Sequence, residues 1–148
     1  MVCLGNICRS PLAQGMLEHK VSLLGLSWTV DSAGTSGFHE GHQPDQRSIE
    51  KAIEYGIDIS KQRSRQIEQA DLEVFDLILT MDTSNYQNVM AMAKDKSQRD
   101  KIKLILNYVY PERNMVVPDP YYDGGFQKVY ELLDVALDQL ILANTVSI

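Results

Sequence analysis

The chain has 148 residues, 44% apolar and 23% charged, and a formal net charge of −6 at pH 7. That length and balance suit one globular domain spanning residues 1–148. The acidic excess argues against nucleic acid or a membrane as the main partner, because phosphate surfaces are held through clustered Lys and Arg.

No apolar run is long enough to span a bilayer, and the N-terminus lacks the apolar core and cleavage site of a secretory signal, so a cytoplasmic protein is predicted. Two cysteines, Cys3 and Cys8, are too few for a disulfide framework and lack a second ligand pair at zinc spacing. Neither a structural metal nor a cofactor is expected, and reactivity is the better explanation of the cysteines.

Met1–Leu4 is short and apolar and leads through Gly5 and Asn6 to Ser10-Pro11, which opens an apolar-faced segment through Leu24. The pattern predicts strand, loop, helix. Leu26–Asp31 (LSWTVD) alternates, is partly β-branched and ends in turn residues, so it predicts a second strand. Pro44-Asp45 starts a helix through about Tyr55, closed by Gly56 in a left-handed conformation.

Residues 76–81 (DLILTM) predict a strand buried on both faces, residues 83–93 a helix, and residues 101–106 (KIKLIL) a fourth strand. The Lys94–Lys103 charge run predicts a solvated connection. From Gly125, Phe126, Val129, Leu133, Ala136 and Leu140 form one stripe of a long amphipathic helix. Alternating strands and helices with short connections predict a doubly wound, flavodoxin-like α/β sandwich with a central four-stranded parallel sheet and helices on both faces. In such folds ligands bind at the carboxyl ends of the strands, where the Cys3–Ser10 loop falls.

A strand-to-helix loop aims backbone N–H groups at one spot, and the helix dipole favours an anion there. Gly5 permits close backbone approach, Asn6 tolerates a left-handed conformation, and Arg9 can grip two phosphate oxygens. A cysteine at the base of this cradle feels the same field, which favours its thiolate as a nucleophile in line with phosphorus. Ser10 can donate to that sulfur. A bare Cys-x5-Arg is equally compatible with a small buried hydrophobe and a solvated arginine.

CLGNICRSP at 3–11 resembles the signature of the low-molecular-weight protein tyrosine phosphatases, and VPDPYYDG at 117–124 resembles their general-acid loop. DSAGT at 31–35, PDQR at 44–47 and LTMD at 79–82 match in order and spacing, so the resemblance spans essentially the whole chain. It implies hydrolysis of phosphotyrosyl proteins or aryl phosphates without a metal. Cys3 is the implied nucleophile; the Leu4, Gly5, Asn6, Ile7, Cys8 and Arg9 backbone with the Arg9 side chain binds phosphate; and Asp119 is the general acid and then base.

The resemblance also implies an aromatic slot walled by Phe38, Tyr121 and Tyr122, deep enough to favour phosphotyrosine over the shorter phosphoserine. Phe38 stands where many members carry Trp. Asn6, Ser10 and Ser32 match positions that shape the phosphate loop. Many members add a histidine before Arg-x-Arg; here Gln62 holds that place, able to donate and accept but not to become charged.

Three other readings share parts of this pattern. An arsenate reductase needs further cysteines downstream, and none follows Cys8. In a protein arginine phosphatase the resemblance implies a loop Thr where this chain has the apolar Ile7. A thiol redox or phosphate-binding module would use Cys3 and Cys8 without turnover; in an enzyme the same pair would give a reversible disulfide that protects Cys3.

His39 and His42 lack a third ligand nearby and are expected to be solvated, as is His19 on the polar face of the first helix. A monomer or weak homo-oligomer is expected. Only Met1 and Val2 precede Cys3, fewer than a central strand usually has, so apolar residues upstream are expected to stabilise the fold.

Overall fold

The computed structural model describes residues 1–145. In chain order the elements are β1 (Val2–Cys3), α1 (Arg9–Leu23), β2 (Ala33–Gly34), α2 (Gln46–Glu54), α3 (Gln69–Val74), β3 (Ile78–Thr80), α4 (Thr83–Met92), α5 (Lys96–Asp100), β4 (Ile102–Leu104), a 3-10 turn at Ile105–Tyr108 and α6 (Phe126–Thr145). The four strands form one parallel sheet in the order β2-β1-β3-β4. Val2 pairs with Ala33 on one side and Thr80 on the other, and Ile78 pairs with Ile102.

Alternation along the strands feeds two cores. Cys3 and Leu79 face α1, α2 and α6, where Leu12, Met16, Ile49, Leu133 and Leu137 pack. Val2 and Ile78 face the other way, against Leu72 of α3 and Val89 of α4. Helices thus cover both faces, which is the doubly wound sandwich expected. The chain leaves β1 for β2 on one side and later places β3 on the other, so the loop after β1 lies at the switch point of the sheet.

Helix boundaries follow local chemistry. Pro11 occupies the first turn of α1, where its missing N–H costs nothing. Asp45 caps α2 by accepting from the Arg47 amide, and Gly56 closes it at φ 77°. Asp82 caps α4 reciprocally with Asn85.

The structure corrects three expectations. Leu26–Asp31 is not a strand: pairing in β2 begins at Ala33, because β1 offers partners only from Met1 onward. A cavity of about 570 Å³ lies instead between residues 27–31 and 74–79, lined by Met1, Trp28, Val30 and Leu79. β4 stops at Leu104, where the chain tightens into the 3-10 turn. The charge run carries α5, capped by Asp95 accepting from the Gln98 amide, followed by β4.

Candidate active site

The loop from Leu4 to Cys8 connects β1 to α1 and is pinned from outside through its carbonyls. The Thr35, Ser36 and Asp45 amides donate to the carbonyls of Cys3, Leu4 and Ile7 at 2.9, 2.9 and 2.8 Å. The Ser64 and Ser48 hydroxyls donate to those of Gly5 and Cys8 at 3.0 and 2.9 Å. With these carbonyls turned outward, among the described residues no protein acceptor takes the amides of residues 4–8. Those N–H groups form an unspent donor ring at the start of α1, suited to an anion.

Asn6 makes this shape possible. Its φ of 55° is left-handed, and its side chain secures that conformation. Nδ2 donates to Ser10 Oγ at 2.8 Å and Ser32 Oγ at 2.9 Å, while Oδ1 accepts from the Arg65 amide at 3.0 Å. Ser32 passes the chain on to Gln14 Oε1 at 2.6 Å. Gly34 is required beside it, since a Cβ there would sit 2.8 Å from the Leu4 carbonyl and 3.1 Å from the Asn6 nitrogen.

The Cys3 Sγ lies 3.0 Å from Ser10 Oγ and is buried at the base of the loop. Cys8, also buried and free, is different: burial first, and then the Asp45 carboxylate, pushes its thiol up to about 12, so it stays protonated.

Arg9 is 2% exposed, unusual for a charged side chain, and one of its guanidinium nitrogens, Nη1, carries its hydrogen bonds to the protein. Nη1 donates to Asp82 Oδ2 at 2.7 Å and to the Val117 carbonyl at 3.0 Å. Nη2 faces Asp119 Oδ2 at 3.8 Å, and Asp119 Oδ1 accepts from the Tyr121 amide at 3.1 Å. Sequence reasoning met Asp82 only as part of a family match; a carboxylate at the end of the buried 76–81 run, where such sheets bind ligands, was the available signal. Ser48, Ser64 and Arg65 left no signal, since each acts on the loop across distant chain.

Gln62 does not reach Asn6: it donates to the Pro11 carbonyl at 3.0 Å, and its Oε1 is buried without a partner among the described residues. Phe38, Tyr121 and Tyr122 are all exposed on loops, Phe38 and Tyr122 by 84% and 89%. Tyr121 packs edge-on to Tyr122, while Phe38 packs on His39, whose ring covers Gly5. Ile7 is half-buried. No cluster of metal ligands occurs among the described residues.

A sheet whose first strand runs into such a loop is the scaffold of a phosphatase, and comparison with known proteins bears the class out. The model of the low molecular weight phosphotyrosine protein phosphatase family matches residues 1–147, and this chain belongs to that family. The low molecular weight protein-tyrosine-phosphatase YfkJ of Bacillus subtilis is 38% identical over 142 residues, covering 95% of this chain and 90% of that protein. The human low molecular weight phosphotyrosine protein phosphatase is 40% identical over 135 residues, covering 88% and 84%. Among solved structures, YfkJ superposes with a TM-score of 0.90, covering 96% of this chain and 90% of that one. The Drosophila arginine phosphatase also reaches 0.90, at 31% identity, covering 97% and 95%.

Proposed function

We propose that this phosphatase hydrolyses phosphotyrosine monoesters through a phosphocysteine intermediate. The Cys3 thiolate attacks phosphorus while the residue 4–9 amides and Arg9 hold the non-bridging oxygens. The phosphorus–oxygen bond to the phenol breaks, and Asp119 gives its proton to the departing oxygen. Water then attacks the phosphocysteine, Asp119 takes the proton, and the sulfur–phosphorus bond breaks with both electrons returning to Cys3. Ser10 Oγ, 3.0 Å from that sulfur, stabilises the departing thiolate.

The observation that carries this reading is the single convergence on Arg9. One buried guanidinium starts the helix behind the donor ring and faces Asp119 across 3.8 Å. Phosphate release from an aryl phosphate in the presence of EDTA tests it, with Cys3→Ser expected to be inactive. Full turnover by that variant would refute the mechanism.

Two ring pairs support an aromatic substrate: Phe38 on His39, whose ring covers Gly5 of the loop, and Tyr122 on Tyr121, whose amide donates to Asp119. Relative rates on phosphotyrosine, phosphoserine, phosphoarginine and arsenate separate this reading from the arginine phosphatase reading, which the Drosophila structure keeps in view. The apolar Ile7 within the loop favours a phenyl ring over a guanidinium. The Cys3–Cys8 pair on one loop further supports reversible protection by a disulfide.

A further inference from the structure

Arg47, at the start of α2, touches neither Cys3 nor the donor ring in the structure, yet it holds three separate parts of the site together. Its Nε and Nη2 fork onto the two oxygens of Asp45, each at 3.0 Å. Nη2 also donates to the Tyr121 carbonyl at 3.1 Å. Its Cζ lies 5.6 Å from the Tyr121 ring centre and 4.8 Å from that of Phe126, the first residue of α6.

Each attachment matters to a different neighbour. The Asp45 amide donates to the Ile7 carbonyl at 2.8 Å, so the Arg47–Asp45 fork is anchored to the phosphate loop itself. Tyr121 is the residue through which Asp119 is oriented: its amide donates to Asp119 Oδ1 at 3.1 Å while its carbonyl accepts from Arg47. Oδ1 is thereby occupied, and Oδ2 faces Arg9. The stack on Phe126 ties Arg47, and with it the Tyr121 peptide, to the start of α6.

We infer that Arg47 is a positioning residue for the general acid, fixing the height of the Asp119 loop over the phosphate loop through the Tyr121 peptide. The inference rests on the reading of Asp119 as general acid. Proton donation needs a heavy-atom distance near 3 Å, and an acid loop attached only at Val117 and Phe126 would leave Asp119 to wander. Lysine at this place would keep the charge but could not fork onto Asp45 and reach Tyr121 together.

The experiment measures kcat/KM over a series of aryl phosphates of rising leaving-group basicity, with the inhibition constant of inorganic phosphate, for wild type, Arg47→Met, Arg47→Lys and Asp119→Asn. Arg47→Met and Arg47→Lys are expected to lose roughly tenfold on the poorest leaving group and under about twofold on the best, a partial form of the ~10²–10⁴-fold general-acid contribution. Phosphate inhibition should stay near wild type, and Arg47→Met should add little further loss in the Asp119→Asn background. An equal loss on every leaving group, weakened phosphate inhibition, or full rescue by lysine would overturn the inference. Failure of the underlying reading looks different: Asp119→Asn would then match wild type across the series.

Discussion

Asp82 holds Arg9 with one carboxylate oxygen and caps a helix with the other: Oδ2 accepts from Arg9 Nη1 at 2.7 Å, and Oδ1 accepts from the Asn85 amide at 2.8 Å. The guanidinium is thereby fixed to β3 and α4 rather than left to solvent, and its other nitrogen is presented toward Asp119. A phosphate entering the loop meets a donor that needs no reorganisation.

Asp82→Asn separates the two duties. Asparagine still caps α4, so the melting temperature should fall only by what the Arg9 bond contributes, roughly 3–12 °C at about 2–4 °C per kcal/mol. The charge-assisted bond to Arg9 is lost, costing about 1.5–3 kcal/mol, and the freed guanidinium can pair with Asp119. Steady-state kinetics should show kcat/KM down by roughly 10- to 100-fold, from ~1.4 kcal/mol per factor of ten. Unchanged kcat/KM would remove Asp82 from the site.

The two cysteines should respond differently to oxidation. Burial and the Asp45 carboxylate hold the Cys8 thiol up to about 12, so peroxide should oxidise Cys3 and not Cys8; Cys8 must then give up its proton as its sulfur attacks the Cys3 sulfenic acid and displaces water. After peroxide, dithiol should restore most activity to wild type and far less to Cys8→Ser, whose Cys3 lacks a partner. Equal recovery of the two proteins would dismiss the disulfide.

Two buried-edge carboxylates set the acid limit of stability. The Arg47 fork holds the Asp45 carboxyl below the usual carboxylate range. Burial pushes the Asp71 carboxyl up, but the Arg65 guanidinium and the Glu68 amide outweigh it and hold that group low as well. Each folded value lies below the unfolded one, so the stability they contribute is present above about pH 3.9, the ordinary aspartate value. It is lost as pH falls through the folded values. Thermal melts should therefore steepen in their decline below about pH 4, and less so in Asp71→Asn, which has no such proton to gain. Parallel curves would assign the acid loss elsewhere.

Adding a few apolar residues before Met1 should stabilise the protein. They would extend β1 into the 570 Å³ cavity beside residues 27–31 and 74–79. They would also replace the Met1 ammonium, which burial pushes down to about 6, with a neutral amide. Each kcal/mol gained raises the melting temperature by about 2–4 °C in a domain of this size. An extended chain that melts with the original would show that the cavity does not accept a strand.

Much of this molecule is legible along the chain because its signals are local. The glycine, asparagine, arginine and proline after β1 belong to one loop and one helix start, where backbone freedom, dipole and charge act within a few residues. Periodicity located β3, α4 and α6, since strand and helix repeats depend only on neighbours in sequence. Family resemblance carried the role of Asp119 across more than a hundred residues, which no local pattern could have done.

The rest was decided by tertiary structure. Leu26–Asp31 has the alternation of a strand, yet a strand exists only where a partner takes its hydrogen bonds; among the described residues no strand lies beside it, and the Met1 ammonium reaches only the Asp31 carbonyl. Ser48 and Ser64 look like ordinary surface residues in the sequence, and Asp82 and Arg47 stand there only as members of the LTMD and PDQR matches. They matter because the fold brings them to one 5-residue loop, pinning its carbonyls outward, gripping its arginine and tying it to the acid loop. Hydrogen bonds have short reach and strict direction, so the order of residues names the nucleophile and the acid while the packing alone sets which groups hold them in place.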